Sequence, residues 1–235
     1  MAIFLDSGKI SEIEKYHKMG IIRGVTTNPT ILMKDGVTGG KEGIKKRSIE
    51  IANLIAPLPL SVEVTSNDYQ EMIDQALEYS KWANNINVKI TIHGPNGELE
   101  NLVVIKELAK KGIDVNATAM MSAQQGLIAA MAGAKYISIF CGRVNNMGYN
   151  SCDELRKMRR VLDLQGLKAK IIAASTREIL NVIEWLEAGA DIVTVLPDLI
   201  KGMIVHPYSK ETVKMFLDDA AKTTRVLEEV VIVDK

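Results

Sequence analysis

Lys89 stands inside the apolar run Asn87-Val-Lys-Ile-Thr91. An amine in such a run is costly to bury unless it is paired or neutral. Desolvation and a nearby cation both favour the neutral amine, the form that attacks carbonyls. Lys89 therefore reads as a Schiff-base lysine, with a side chain reaching from a strand end to solvent as the alternative. Asp6 closes Ile3-Phe-Leu-Asp6, and Glu63 lies within Ser61-Val-Glu-Val-Thr65. Each carboxylate alone is as readily a salt-bridge partner. Around one mouth with Lys89 they would supply an acid or base, a nucleophile and a relay. Asn116 and Thr118 are two apart, so on a strand both side chains point the same way and could orient a hydroxyl or a water. Arg143 follows Phe140-Cys-Gly, while Ser175 and Arg177 fall where a strand ends and the next helix opens. Serine and arginine at a helix N-terminus suit an anion such as phosphate.

That chemistry needs elements to hold it. Short apolar runs predict strands at 2–5, 22–26, 60–64, 86–91, 113–118, 136–140, 169–174 and 191–196. Segments with apolar residues three and four apart follow, among them 68–82, 99–111 and 177–188. Gly112, Gly133, Gly166 and Gly189 fall just after helical stretches, where a left-handed terminus calls for glycine. Eight such units give a single (β/α)8 barrel spanning 1–235 as the expected fold, with a doubly wound open sheet as the alternative. A further amphipathic helix at about 209–225 is expected to pack on a neighbouring molecule or on the barrel rim. In a barrel the chemistry lies at the C-terminal strand ends and in the loops that follow them.

Composition narrows the partners. The 235 residues carry 29 Lys+Arg against 29 Asp+Glu, and only 5% are aromatic. Neither a basic stripe for nucleic acid or anionic membrane nor a base-stacking platform is expected. Cys141 and Cys152 make no disulfide framework, and His17, His93 and His206 lack metal-ligand spacing, so no metal is expected. Gly36-Val-Thr-Gly-Gly40 lacks the Lys-Ser/Thr ending of a phosphate-binding P-loop. No secretory leader and no apolar run long enough for a membrane span are visible, which makes a cytoplasmic location the expectation.

Taken together, Val25-Thr-Thr-Asn-Pro29, Val88-Lys89-Ile90, Asn116-Ala-Thr118, Phe140-Cys-Gly-Arg143 and Ala174-Ser-Thr-Arg177 resemble the transaldolase family, including its short fructose-6-phosphate aldolase-type members. The resemblance runs along the whole chain. It implies Lys89 as the Schiff-base lysine, Asp6 as the proton-transferring carboxylate, and Glu63 with Thr118 as holders of a catalytic water. It further implies that Thr27, Asn28, Asn116 and Ser138 bind the dihydroxyacetone part of a sugar, beside Phe140. Arg143, Ser175 and Arg177 would hold its terminal anion. Glutamate at 63 and phenylalanine at 140 are transaldolase-like, where the aldolases carry Gln and Tyr. The implied reaction transfers a dihydroxyacetone unit from a ketose phosphate to an aldose phosphate, as in the pentose phosphate pathway, without a cofactor. Release of free dihydroxyacetone is an alternative. So is a 6-sulfo ketose donor, because Thr91–Gly97 and Val144–Asn150 depart from the family pattern near the expected mouth. A ring-shaped homo-oligomer is also implied.

Overall fold

We describe the protein from a computed structural model, which covers residues 2–233, with side chains as far as 223. Strands and helices alternate from the start: β1 (Ile3–Asp6), α1 (Ile10–Lys18), β2 (Val25–Thr26), α2 (Pro29–Lys34), α3 (Gly40–Ile55) and β3 (Leu60–Glu63). The pattern continues through α4 (Tyr69–Tyr79), β4 (Ile86–Thr91), α5 (Glu100–Lys110), β5 (Val115–Met120), α6 (Ala123–Met131) and β6 (Tyr136–Ile139). It closes with α7 (Cys141–Asn146), α8 (Ser151–Leu164), β7 (Lys170–Ala173), α9 (Ile179–Glu187), β8 (Ile192–Val195), α10 (Pro197–Ile204) and α11 (Pro207–Val233). The eight strands are all parallel, and β1 pairs with both β2 and β8, so the sheet is a closed (β/α)8 barrel and not the open-sheet alternative.

Every expected strand is present within a few residues. The largest difference is at 22–26, of which only Val25 and Thr26 form β2. The four punctuating glycines, 112, 133, 166 and 189, have φ between 65° and 105°, the left-handed region that closes a helix at little cost for a residue without Cβ. Helices pack their apolar stripes on the barrel through side chains such as Tyr16, Leu155 and Trp185, all nearly or fully buried. Burying each such side chain contributes about 1.5–3 kcal/mol.

The barrel interior has two different sides. Phe4, Tyr136, Ile172 and Ile192, from β1, β6, β7 and β8, form an apolar cluster in which the Phe4 and Tyr136 rings lie 6.4 Å apart. Gly24 makes room for it: a Cβ there would stand 2.6 Å from the Phe4 ring. Ser61, Asn87, Asn116 and Ser138, on β3, β4, β5 and β6, form a buried polar row.

The backbone separates into two compact units, Met1–Pro197 with the whole barrel and Asp198–Lys235 with most of α10 and all of α11. Helix α11 covers and exceeds the expected 209–225. Side chains 204–223 are all exposed, and those beyond lie outside the described side chains. Among the described residues no helix is long and apolar enough to cross a membrane.

Candidate active site

Parallel register places Glu63 beside Lys89 on the neighbouring strand, and Lys89 beside Asn116 on the next. The Lys89 side chain is 6% exposed, and its Nζ lies 2.9 Å from Glu63 Oε2. The same nitrogen donates to the backbone carbonyl of Thr27 at 3.0 Å. The structure thus resolves the cost of burying this amine by pairing: a carboxylate and a carbonyl take over the work of water. Removing one partner of such a pair costs about 3–5 kcal/mol, because a charge is left uncompensated.

Asp6 faces the same space. Thr26 Oγ1 donates to Asp6 Oδ1 at 2.7 Å. Thr26 and Thr194 share a short hydroxyl–hydroxyl hydrogen bond, in which Thr194 must donate because the Thr26 proton is committed to Asp6. Burial pushes the Asp6 carboxyl above its usual range, against the lowering influence of the Thr26 bond and the Lys89 charge. A carboxyl held up in this way is suited to exchanging protons nearer neutral pH.

Thr118 also lines the space, and its buried Oγ1 has no hydrogen-bond partner among the described residues. Ala119 follows with a φ of 61°, at a register shift between Ala117 and Met120. Strain of this kind in a non-glycine residue gathers at working sites, and a bulge re-aims the side chains around it.

These residues open into one cavity of about 490 Å³ at the C-terminal ends of the strands. Its charged lining is Asp6, Glu63, Lys34, Lys89, Arg143 and Arg177. Among the described residues, neither Arg143 nor Arg177 has an acidic partner within ion-pair distance, and Arg143 lies over the Phe140 ring at 5.1 Å from its centroid. Asn28 lines the cavity and caps α2, its Oδ1 accepting from Ile31 N at 2.9 Å. Ser138, Phe140 and Ser175 line it as well.

Two of the expected sugar-binding residues lie just behind the cavity wall. Thr27 and Asn116 are buried and do not line the cavity. Thr27 contributes its carbonyl to Lys89, and Asn116 accepts from Ser138 Oγ at 2.7 Å. The helix after β7 also starts later than expected. It opens at Ile179 with Glu178 as its N-cap, and Asn181 Oδ1 accepts from Glu178 N at 3.1 Å. Ser175 and Arg177 therefore belong to the preceding loop, where Ser175 has a φ of 64°. Gly142 packs so closely that a Cβ there would overlap the Ser175 carbonyl oxygen.

The two unusual loops part company. Val144, Asn146, Met147 and Tyr149 line a second cavity of about 730 Å³ that shares Arg143 with the first. The 91–97 segment lines neither cavity and is tied down locally, with Asn101 Nδ2 donating to Thr91 Oγ1 at 2.9 Å. Ser61, Asn87, Thr26, Thr194 and Lys34 were not singled out in the sequence. Ser61 and Asn87 stand two residues before Glu63 and Lys89, so the strand alternation that paired Asn116 with Thr118 would have found them. Among the described residues no group of three or more His, Cys, Asp or Glu stands together as a metal site would require.

The closed barrel and its lysine-centred mouth define a class, and comparison with known proteins gives the family. A family model described as Transaldolase/Fructose-6-phosphate aldolase matches residues 3–234, and the chain belongs to that family. It is 39% identical to a probable transaldolase of Carboxydothermus hydrogenoformans over 93% of this chain and 97% of that protein. With a probable transaldolase 1 of Bacillus cereus the identity is 35%, over 95% and 99%. With a probable transaldolase 2 of Listeria monocytogenes it is 39%, over 93% and 95%. A thiamine phosphate pyrophosphorylase from Pyrococcus furiosus superposes with a TM-score of 0.59 at 13% identity, covering 83% of this chain and 85% of that one, which is a likeness of fold alone.

Proposed function

We propose that the protein is a transaldolase that carries a dihydroxyacetone unit on Lys89 from an anionic ketose to an aldose phosphate. The observation that carries this reading is the Lys89 amine, held by Glu63 and the Thr27 carbonyl in a cavity rimmed by further cations. When a ketose enters, Lys89 passes a proton to Glu63, and the neutral amine adds to the C2 carbonyl. Glu63 and a water on Thr118 Oγ1 return protons as hydroxide leaves, giving an iminium. Asp6 takes the C4 hydroxyl proton while the C3–C4 bond breaks and its electron pair flows into the iminium. The enamine then adds to an acceptor aldehyde, and hydrolysis frees the new ketose and the lysine.

Arg143, Ser175 and Arg177, all in the cavity wall, would hold the terminal anion. Phe140 presents no phenol hydroxyl to protonate the enamine, which favours transfer over release of free dihydroxyacetone. Exposed Val213, Phe216 and Leu217 on α11 support the expectation of a homo-oligomer. The test is borohydride trapping with fructose 6-phosphate, followed by peptide mass analysis. An adduct on the Lys89 peptide is expected, and its absence sinks the reading. Without an acceptor, little free dihydroxyacetone should accumulate; sustained release would mark an aldolase. Sulfonated and phosphorylated ketoses run side by side would identify the anion.

A further inference from the structure

The polar row inside the barrel is a chain of hydrogen bonds with a direction. Ser138 Oγ donates to Asn116 Oδ1 at 2.7 Å, Asn116 Nδ2 donates to Ser61 Oγ at 3.2 Å, and Ser61 Oγ donates to Asn87 Oδ1 at 2.6 Å. All four residues are at most 3% exposed. Each hydroxyl has one proton. A serine that gives its proton to one neighbour can only accept from the other, and the row can reverse only as a whole. Of the four, only Ser138 lines the catalytic cavity. The far end of the row, Asn87, does not line the cavity, and its Nδ2 has no hydrogen-bond partner among the described residues, so the direction of the row is set by which amide atom Asn87 turns toward Ser61.

We infer that Ser61 and Asn87 are positioning residues that fix Ser138 as a hydrogen-bond acceptor, so that the site selects a donating hydroxyl on the carbon beside the ketone. The inference rests on the transaldolase reading above. With its proton committed to Asn116, Ser138 turns a lone pair toward the substrate. A hydroxymethyl group at C1 of the ketose satisfies that lone pair. A methyl group leaves it unpaired, and a fluoromethyl group sets a second electron-rich atom against it. Cutting the row at Ser61 frees the Asn116 amide to turn, and Ser138 can then donate.

The probes are 1-deoxy- and 1-deoxy-1-fluoro-fructose 6-phosphate, with kcat/KM measured for each against the parent ketose in wild type, Ser61→Ala and Asn87→Val. The ratio of fluoro to deoxy donor cancels the general effect of a substitution, because a merely structural defect lowers both alike. It is expected to rise about fivefold in Ser61→Ala and less in Asn87→Val, the size of one hydrogen bond gained or lost. Should Ser61→Ala fail to fold, Asn87→Val decides. Unchanged ratios in the folded variants, or a wild type that already favours the fluoro donor more than they do, overturn the inference. If trapping with the parent ketose leaves no adduct on Lys89 in wild type, the transaldolase reading itself fails. That result is distinct from an adduct with unchanged ratios, which removes only the roles of Ser61 and Asn87.

Discussion

The two sides of the barrel interior are built from the same strand geometry and do opposite work. Phe4, Tyr136, Ile172 and Ile192 fill one side with apolar volume. Next to them, Ser61, Asn87, Asn116 and Ser138 form a row of small polar groups joined by hydrogen bonds, with only the Asn87 Nδ2 end left without a partner among the described residues. Above that polar side stand Glu63 and Lys89. The apolar side contributes burial, which is forgiving of detail but costly to delete. The polar side gains little net stability from its exchanged hydrogen bonds, and instead fixes the direction in which each group points. Substitutions on the two sides should therefore separate stability from chemistry.

The sharpest separation is expected at Lys89→Met. Loss of the proposed nucleophile should lower kcat by at least ~10³-fold and abolish the trapped adduct. The substitution also leaves Glu63 unpaired. Pairing it with Glu63→Gln should recover stability without recovering activity, as measured by thermal melts beside a transfer assay. Phe4→Ala should do the reverse. A loss of about 3–5 kcal/mol in denaturant unfolding is expected, with the Lys89 adduct still forming in the folded fraction. A Phe4→Ala variant with wild-type stability would erase the contrast.

Asp6→Asn joins both quantities. Turnover should fall about 10²–10³-fold if Asp6 moves the C4 hydroxyl proton. Its stability effect should depend on pH. Because burial raises the Asp6 carboxyl in the folded state, the wild type pays an increasing ionisation cost as pH climbs from the ordinary carboxylate range through that raised value. Melting curves should show the variant gaining on wild type over that window, then holding a constant advantage. A gain that shrinks with rising pH would contradict the raised carboxyl.

Gly142→Ala carries a smaller effect. Its Cβ must displace the Ser175 carbonyl, so KM for an anionic donor should rise about tenfold, the order expected for a disturbed charged contact. KM for a neutral ketose should barely move.

The fold was largely legible because a closed parallel barrel repeats one local signal eight times, and the glycines at 112, 133, 166 and 189 mark the joints. Lys89, Asp6, Glu63 and Thr118 were legible because polar groups stand out against apolar strands, and the structure gathers them at one cavity. What the residue pattern could not supply was depth. Asn116 looks as much a ligand contact as Ser138 until the barrel shows one beneath the other. Nor could spacing show that Glu178 and Asn181 cap α9, which leaves Ser175 and Arg177 in a loop. Ser61 and Asn87 looked like ordinary strand polars because their partners come from strands 26 to 55 residues apart in the chain.

One detail bears on how such a site changes over generations. The amine of Lys89 is tethered to the main chain at Thr27 as well as to the Glu63 side chain, and that peptide is itself pinned: Thr27 N and Thr27 Oγ1 both reach the Ser61 carbonyl, at 3.0 and 2.9 Å. No point mutation can delete a carbonyl oxygen. On the proposed function, lineages can therefore trade the cations at the rim for others suited to a new anion while inheriting the placement of the Lys89 nitrogen. Diversity in substrate and constancy in chemistry have separate addresses in this barrel.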